Sequence, residues 1–335
     1  MPETIRAAIV GLGWWGKVLV DSVYGKSERI RFVAAHVRTP AKVEEFCRDK
    51  GLNVYASHDE LLQNPDIDAV VYAIPHSQHE FFLERAARAG KHVYMEKPLA
   101  LTVAGAQRCI SIVREANITL SVGFQRRLSP SHIALKKLVE TKSLRALVHC
   151  AAEATAPGAF SLRADNWRAD EKEIPGGAMT PIGIHVLDAM IDLFGQIDQV
   201  YCVNLRRAGP VEDTTSVLLS FVDGGSATLM CSLATARNYR FTVYGTAGLA
   251  EAVRGETEKL RLAPATAGDK AIKPETIEFA PSDLERASLE RFAETIASKT
   301  KFSVPANELI RGIAALEAIA RSAQTGLPVK VDRAM

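Results

Sequence analysis

Long apolar runs are missing from the chain. None of its 335 residues falls in an uninterrupted apolar stretch of about 18 or more, the length a membrane-spanning helix needs, so no membrane span is expected. No charged leader followed by an apolar segment opens the chain, so no secretory signal is read there. Cysteine is sparse. Cys47, Cys109, Cys150, Cys202 and Cys231 are odd in number and include no CxxC pair. That argues against a disulfide framework and fits reduced, buried thiols in a cytoplasmic protein. Charge of neither sign dominates. Lys and Arg number 41 against 39 Asp and Glu, for a net charge of +2. With both signs mixed along the chain, neither nucleic acid nor a membrane surface is indicated as a partner. Repeats and low-complexity segments are absent as well.

What is present is an alternation. Apolar strands at 5–10, 30–37, 69–74, 93–95 and 120–124 are separated by amphipathic helices at 14–24, 40–50, 78–89 and 102–116. Continuous apolar strands between helices predict a parallel sheet covered on both faces, a Rossmann-type doubly wound domain over residues 1–125. After about residue 127 the pattern changes. A helix at 130–140, a strand at 144–154, a loop at 155–183 rich in glycine, proline and charge, and a helix at 184–194 come first. Strand-like runs at 200–205, 214–222, 227–233 and 241–244 follow, and helices at 284–298 and 307–325 close the chain. Residues 126–335 therefore read as a second α/β domain, a mostly antiparallel sheet with helices. So long a loop inside a compact domain points to function.

Gly11-Leu12-Gly13-Trp14-Trp15-Gly16 is GxGxxG placed between the first strand and the first helix, the context that gives the pattern meaning. Gly11 permits the tight turn, Gly13 admits a pyrophosphate to the backbone, and Gly16 lets the helix approach the strand. The helix start supplies unpaired N–H groups and partial positive charge. NAD sites carry an acid at the end of the second strand to grip the ribose 2′-hydroxyl. Here that place holds Val37, then Arg38 and Thr39. With no carboxylate to repel a 2′-phosphate, and with Arg38 to pair with it, NADP(H) is the expected cofactor and NAD the alternative.

The fourth long strand runs into Glu96-Lys97-Pro98. In open α/β sheets ligands sit beyond the carboxyl ends of the strands, so Lys97 is a candidate acid/base, against the alternative of a solvated loop lysine. Its unperturbed pKa of about 10.4 needs lowering by burial or nearby positive charge if it is to accept a proton near neutrality. His185 needs no such shift. Asp188, one turn beyond His185, has two roles open to it, orienting the imidazole or capping local backbone. His76 and His79 lack a further ligand set at metal-binding spacing, so no metal is expected. Arg126, Arg127, Arg163, Arg168, Arg237 and Arg240 hint at an anionic group on a small-molecule substrate.

These marks occur together with Ile74-Pro75 and His79, Gly90-Lys91-His92-Val93, Gly123-Phe124-Gln125-Arg126-Arg127, Asn166-Trp167-Arg168, Gly176-Gly177-Ala178 and Gly183-Ile184-His185. In this order the chain resembles the Gfo/Idh/MocA family of NAD(P)-dependent oxidoreductases from about residue 4 to residue 331. The resemblance implies that the Rossmann domain holds the dinucleotide and that residues 126–335 form a substrate-binding and oligomerisation α/β domain with a large open, mostly antiparallel sheet. It implies too that Lys97 hydrogen-bonds the reacting oxygen beside the nicotinamide, and it admits a cis Lys97–Pro98 peptide. It implies that Ile74, Pro75 and His79 lie along the cofactor with Glu96 and Gln125, and that His185 faces the substrate. Arg127, Trp167, Arg168 and Thr180 are the further substrate candidates. The implied activity is hydride transfer to or from a secondary alcohol or ketone of a sugar-like, cyclitol or dihydrodiol substrate, in a homodimer or homotetramer. The alternatives are a redox-neutral NAD-dependent hydrolase or lyase, and a non-catalytic NAD(P)-binding sensor. One departure matters. The family's aspartate four residues before the histidine is Pro181 here, which neither accepts a proton nor orients a hydroxyl, so more of the proton chemistry falls on Lys97. Gln125 stands where asparagine is more usual and keeps the amide.

Overall fold

A computed structural model describes residues 4–254, 258–265 and 273–333. They form two compact units, residues 1–125 with 283–309 and residues 126–282 with 310–335. The first unit begins with β1 (Ile5–Val10), α1 (Trp14–Val23), β2 (Ile30–His36), α2 (Glu44–Lys50), β3 (Asn53–Tyr55), α3 (His58–Gln63) and β4 (Ala69–Tyr72). It continues with α4 (His79–Arg88), β5 (His92–Met95), α5 (Val103–Glu115) and β6 (Leu120–Val122). The strands pair in the order β3-β2-β1-β4-β5-β6, every neighbour parallel. The central strands are short runs of Ala, Val and Ile with both faces buried, and Ile9 pairs with Ala35 on one side and Val71 on the other. The chain winds outward from β1 to β3 and then crosses to β4, so the order reverses between β1 and β4. Two small elements, β3 and α3, were not expected. They are too short for their apolar period to stand out. The helix expected at 40–50 starts late, since a 3-10 turn at Pro40–Lys42 precedes α2.

The second unit contains α6 (Pro130–Glu140), β7 (Leu147–Thr155), α7 (Gly183–Phe194), β8 (Ile197–Leu205), β9 (Thr214–Phe221), β10 (Ser226–Ser232) and β11 (Asn238–Gly245). β12 (Gly248–Arg254), β13 (Glu258–Pro264) and β14 (Glu275–Phe279) follow. After α8 (Leu284–Ala297), α9 (Ala306–Thr325) crosses from one unit's residues to the other's, and β15 (Val329–Lys330) comes last. The sheet order is β14-β13-β12-β11-β7-β10-β9-β8-β15. The β7–β10 pair is parallel and the other pairs are antiparallel. One face is apolar and buried, with Cys150, Ala152 and Ala154 of β7 and Leu229 of β10 under α7, and β12 and β13 under α6. The opposite face stays exposed, with Tyr201, Val203, Leu205 and Leu218 on β8 and β9. β12 to β14 were not foreseen, because their outward positions carry Glu251, Lys259, Arg261 and Glu278, whose charge hides the alternation.

Sequence alone assigned residues 283–309 to the second domain, and their contacts place them with the first unit. Leu289 and Phe292 of α8 are fully buried in the Rossmann core, Phe292 lies 5.9 Å from the Tyr94 ring, and the Tyr94 hydroxyl meets Ser288 Oγ at 3.0 Å. The following segment pairs beside β6, where Leu120 N donates to the Lys301 carbonyl at 2.7 Å. An amphipathic helix shows which face it buries, not which sheet it buries it against. Among the described residues no helix is long and apolar enough to cross a membrane, and all five cysteines are unpaired and buried.

Candidate active site

The ends of the parallel strands are locked in one row. Gly11 N donates to the His36 carbonyl at 3.1 Å, Ala73 N to Val10 at 2.9 Å, Glu96 N to Tyr72 at 3.1 Å and Gly123 N to Met95 at 2.9 Å. Five strands at a spacing of about 4.8 Å make a row of roughly 19 Å. The expected cofactor residues sit on it. Arg38 and Thr39 follow β2, Gly11 to Gly16 follow β1, Ile74 and Pro75 follow β4, Glu96 and Lys97 follow β5, and Gln125 follows β6.

The glycine turn is built for an anionic ligand. Gly11 has φ of +95°, and a Cβ there would overlap the Ala73 carbonyl and lie 3.2 Å from Ile74 Cγ2. A Cβ at Gly16 would overlap the Gly11 carbonyl, so α1 crosses the turn at backbone contact. Gly13 is different. Nothing lies within 4 Å of a Cβ built there, so its face is an open cradle. α1 has no side-chain cap and no acid in its first turn, leaving its first N–H groups and its positive dipole end to a ligand. Leu12 is buried, Trp15 half-buried and Trp14 75% exposed. Arg38 and Thr39 are exposed, and Arg38 makes no ion pair among the described residues. At the other end of the row, Glu96 and Gln125 are buried, and Glu96 Oε1 and Gln125 Oε1 have no hydrogen-bond partner. Gln125 Oε1, at the end of β6, is an acceptor open to a donor from a ligand. The open cradle, the uncapped helix and this acceptor fit a dinucleotide with a carboxamide at one end.

His79 is built into the backbone beside this row. Its ring is fully buried, with Nδ1 2.8 Å from the Pro98 carbonyl and Nε2 3.3 Å from the Ile74 carbonyl. It holds the loop after β4 against the turn at Lys97–Pro98, which is cis, and offers no surface to a cofactor. Lys91 is structural too. Its ammonium donates to the carbonyls of Asn64 and Ile67 at 2.8 and 2.7 Å. His76 and His79 sit edge to face, 5.5 Å apart, and no group of three metal-ligating side chains occurs among the described residues.

In the second unit, the substrate candidates divide. His185 lies in the first turn of α7 and is buried. Pro181 is half-buried just before it. Trp167 and Arg168 form a stacked pair in the loop, with the guanidinium 4.1 Å from the ring centre. Thr180 is fully buried and donates its hydroxyl to the Pro175 carbonyl. Arg127 is engaged within the protein as well. It grips Asp188 through Nε and Nη2, both at 2.7 Å, and reaches Asp192 from Nη1 at 2.9 Å. Asp188 therefore takes both bonds of a bidentate contact from Arg127. Asp192 also takes His132 Nε2 at 2.8 Å and Lys136 Nζ at 2.7 Å. These cations hold the Asp192 carboxyl far below the usual carboxylate range against the opposing effect of burial. Of the other arginines, Arg126 lies over the Tyr239 ring at 4.4 Å, Arg163 pairs with Asp165 and Arg240 with Glu153. Arg237 is exposed with neither ion pair nor ring contact among the described residues.

Sequence reasoning missed Asp213 and Glu258. Asp213 is buried and accepts the N–H groups of Ala208 and Gly209 at 2.7 and 2.8 Å, which shapes the β8–β9 turn. Glu258 accepts Ser131 N at 2.7 Å and the Ser129 hydroxyl, capping α6 from β13. Only the short spacing from Asp213 to the turn could have been read locally.

Comparison with known proteins agrees with this geometry. Residues 5–124 match the family model described as an oxidoreductase family, NAD-binding Rossmann fold, and residues 132–251 match the GFO/IDH/MocA C-terminal domain. Inositol 2-dehydrogenase of Rhizobium meliloti is 27% identical over 331 residues, covering 95% of this chain and 97% of that one. D-xylose 1-dehydrogenase (NADP(+)) 2 of Haloferax volcanii is 27% identical over 327 residues, covering 94% and 96%. The crystal structure of aldose-aldose oxidoreductase from Caulobacter crescentus, complexed with glycerol, superimposes with a TM-score of 0.85 at 28% identity, covering 98% of this chain and 99% of that one.

Proposed function

Since this chain belongs to the Gfo/Idh/MocA family of oxidoreductases and carries its NAD-binding Rossmann domain, we propose that it is an NADP(H)-preferring dehydrogenase acting on a secondary alcohol, or the matching ketone, of a sugar-like, cyclitol or dihydrodiol substrate. The observation that carries this is the row of strand ends, with an open anion cradle at Gly13, Lys97 after β5 and an acceptor at Gln125 after β6. Relatives named for inositol and xylose oxidation support the substrate class.

When bound, the nicotinamide gives or takes the hydride equivalent. The residues of this chain do the rest. The first N–H groups of α1 hold the diphosphate, and Arg38 with Thr39 holds the 2′-phosphate. Lys97 Nζ hydrogen-bonds the reacting oxygen, giving up a proton when a ketone is reduced and taking one when an alcohol is oxidised. His185 assists as a second proton-exchanging group of the reaction. With Pro181 where the family has an aspartate, no carboxylate shares that task from there. Most of the arginines are committed within the protein, which favours a neutral polyol over a strongly anionic substrate.

The exposed face of the nine-stranded sheet fits a second copy of this chain. Nine strands of about seven residues span roughly 1,000 Å², more than the roughly 800 Å² per partner of a standard interface, and Tyr201, Val203, Leu205 and Leu218 stand exposed at its β8–β9 end.

A cofactor-coupled absorbance screen over sugars, inositols, hydroxy acids and dihydrodiols tests the activity. Net NADPH formation or consumption is expected with a polyol or its ketone. Product formed with no net redox change would point instead to a hydrolase or lyase. Repeating the hit with Lys97→Met is expected to lower kcat by about 100-fold or more. Near-normal turnover in that variant would remove Lys97 as the acid/base.

A further inference from the structure

Glu96 is one residue from Lys97, yet the proton chemistry above does not use its side chain. It is 7% exposed. The carboxylate lies flat against Gly123, where a Cβ would sit 2.9 Å from Oε1 and 3.0 Å from Oε2. A side chain at 123 would force the carboxylate to move. From the opposite side comes Trp15, in the first turn of α1 and within the glycine turn itself. Trp15 Nε1 and Glu96 Oε1 are both buried, and neither completes a hydrogen bond of good geometry. The indole N–H and the Lys97 backbone N–H nevertheless lie against the carboxylate and draw its pKa down, while burial and Glu285 of α8 push it up, burial most strongly. Tyr94, on the same strand, is itself pushed up by burial and by Glu96. Charged and titratable groups thus face Glu96 from its own strand, as Lys97 and Tyr94, and from α8, as Glu285.

A buried donor and a buried acceptor, each unsatisfied and facing each other, form a contact ready to shorten. One end belongs to the element that receives the diphosphate. The other belongs to the residue whose carboxylate takes the Lys97 backbone N–H. We propose that Trp15 and Glu96 are a positioning pair, in which the indole N–H donates to the carboxylate and ties the glycine turn to the strand end that carries Lys97. Filling the cradle at Gly13 presses α1's first turn into place and closes the bond, so cofactor binding sets the lysine. This rests on the reading of Lys97 as the acid/base.

The test begins on the cofactor-free protein, with NMR of the indole N–H groups of Trp14, Trp15 and Trp167. The Trp15 signal is assigned by its loss in Trp15→Phe. It is expected to move with pH in the wild type, to stop moving in Glu96→Gln, and to shift downfield when NADPH is added. A Trp15 signal that ignores pH, or titrates unchanged in Glu96→Gln, overturns the pair. In turnover, Trp15→Phe keeps the ring and loses only the N–H. It should lower kcat about tenfold, as expected for a hydrogen bond to a charged group, with cofactor KM changed less than about threefold and the acid limb of the pH profile moved upward. Trp15→Phe/Glu96→Gln should be no worse than the poorer single variant. A loss confined to cofactor KM would leave a purely structural tryptophan and overturn the proposal. The two readings fail separately. Near-normal turnover in Lys97→Met removes the acid/base assignment, whereas an inactive Lys97→Met with a fully active Trp15→Phe removes the positioning pair alone.

Discussion

At the scale of single residues, the proposed reader of the cofactor's ribose is the pair of side chains just past the end of β2. Arg38 is exposed and engaged in no ion pair among the described residues, and no carboxylate stands at Val37. Arg38→Ala should raise KM for NADP(H) by about 10- to 100-fold, the size of a charge-assisted contact, and change KM for NAD(H) by less than about threefold. Equal effects on both cofactors would mean that Arg38 does not see the 2′-phosphate. His58 makes a second prediction. It is 8% exposed, its Nε2 meets the Tyr72 hydroxyl at 2.9 Å, and burial, with His36 and Arg85 nearby, lowers its pKa to about 4. A histidine held neutral in the fold stabilises above its unfolded pKa of about 6.5 and loses that contribution as pH falls toward about 4. The loss should approach roughly 3 kcal/mol over that window. His92 and His149, also lowered by burial, act with the same sign. Urea titrations at a series of pH values should show a shallower slope between pH 6.5 and 4 in His58→Gln. An unchanged slope would place the acid sensitivity elsewhere.

At the scale of elements, α6 and α7 are joined by charge. Arg127, His132 and Lys136 meet Asp188 and Asp192 of α7, and the two carboxylates are 6% and 3% exposed. Arg127→Met leaves buried acids without their main cation and should cost about 3–5 kcal/mol in urea unfolding. If Arg127 were instead a substrate anchor, the same change would spare stability and raise substrate KM. The glycine turn, the order of strands and helices, and Glu96-Lys97 were legible in sequence, because each is a local pattern with a local physical cause. The internal partners of His79, Thr180 and Arg127 were not. Their burial and partners depend on residues brought close by folding, such as Pro98 for His79 and Asp188 for Arg127. β12 to β14 were hidden for a related reason. Glu153, Arg240, Glu251 and Arg261 form a cross-strand ladder of alternating charge that only the register reveals.

At the scale of the whole molecule, the open sheet face is the feature with the largest consequence. Leu218→Glu combined with Val203→Glu places charge on two exposed apolar positions. Light scattering after size exclusion should show a dimer or tetramer for the wild type and a smaller species for the double variant. A wild type that stays monomeric at micromolar concentration would exclude this face as the interface.

Residue order settled the Rossmann class, the place of the dinucleotide turn, the missing acid after β2 and the exchange of the family aspartate for Pro181, because short-range periodicity and glycine stereochemistry act within a few residues. Folding alone decided that α8 completes the first unit, that Glu96 is buried against Gly123 and Trp15, and which arginines are already paired within the protein. Each of those depends on burial and partner choice between segments far apart in the chain, where the free energy belongs to the packed pair and neither segment carries its sign alone.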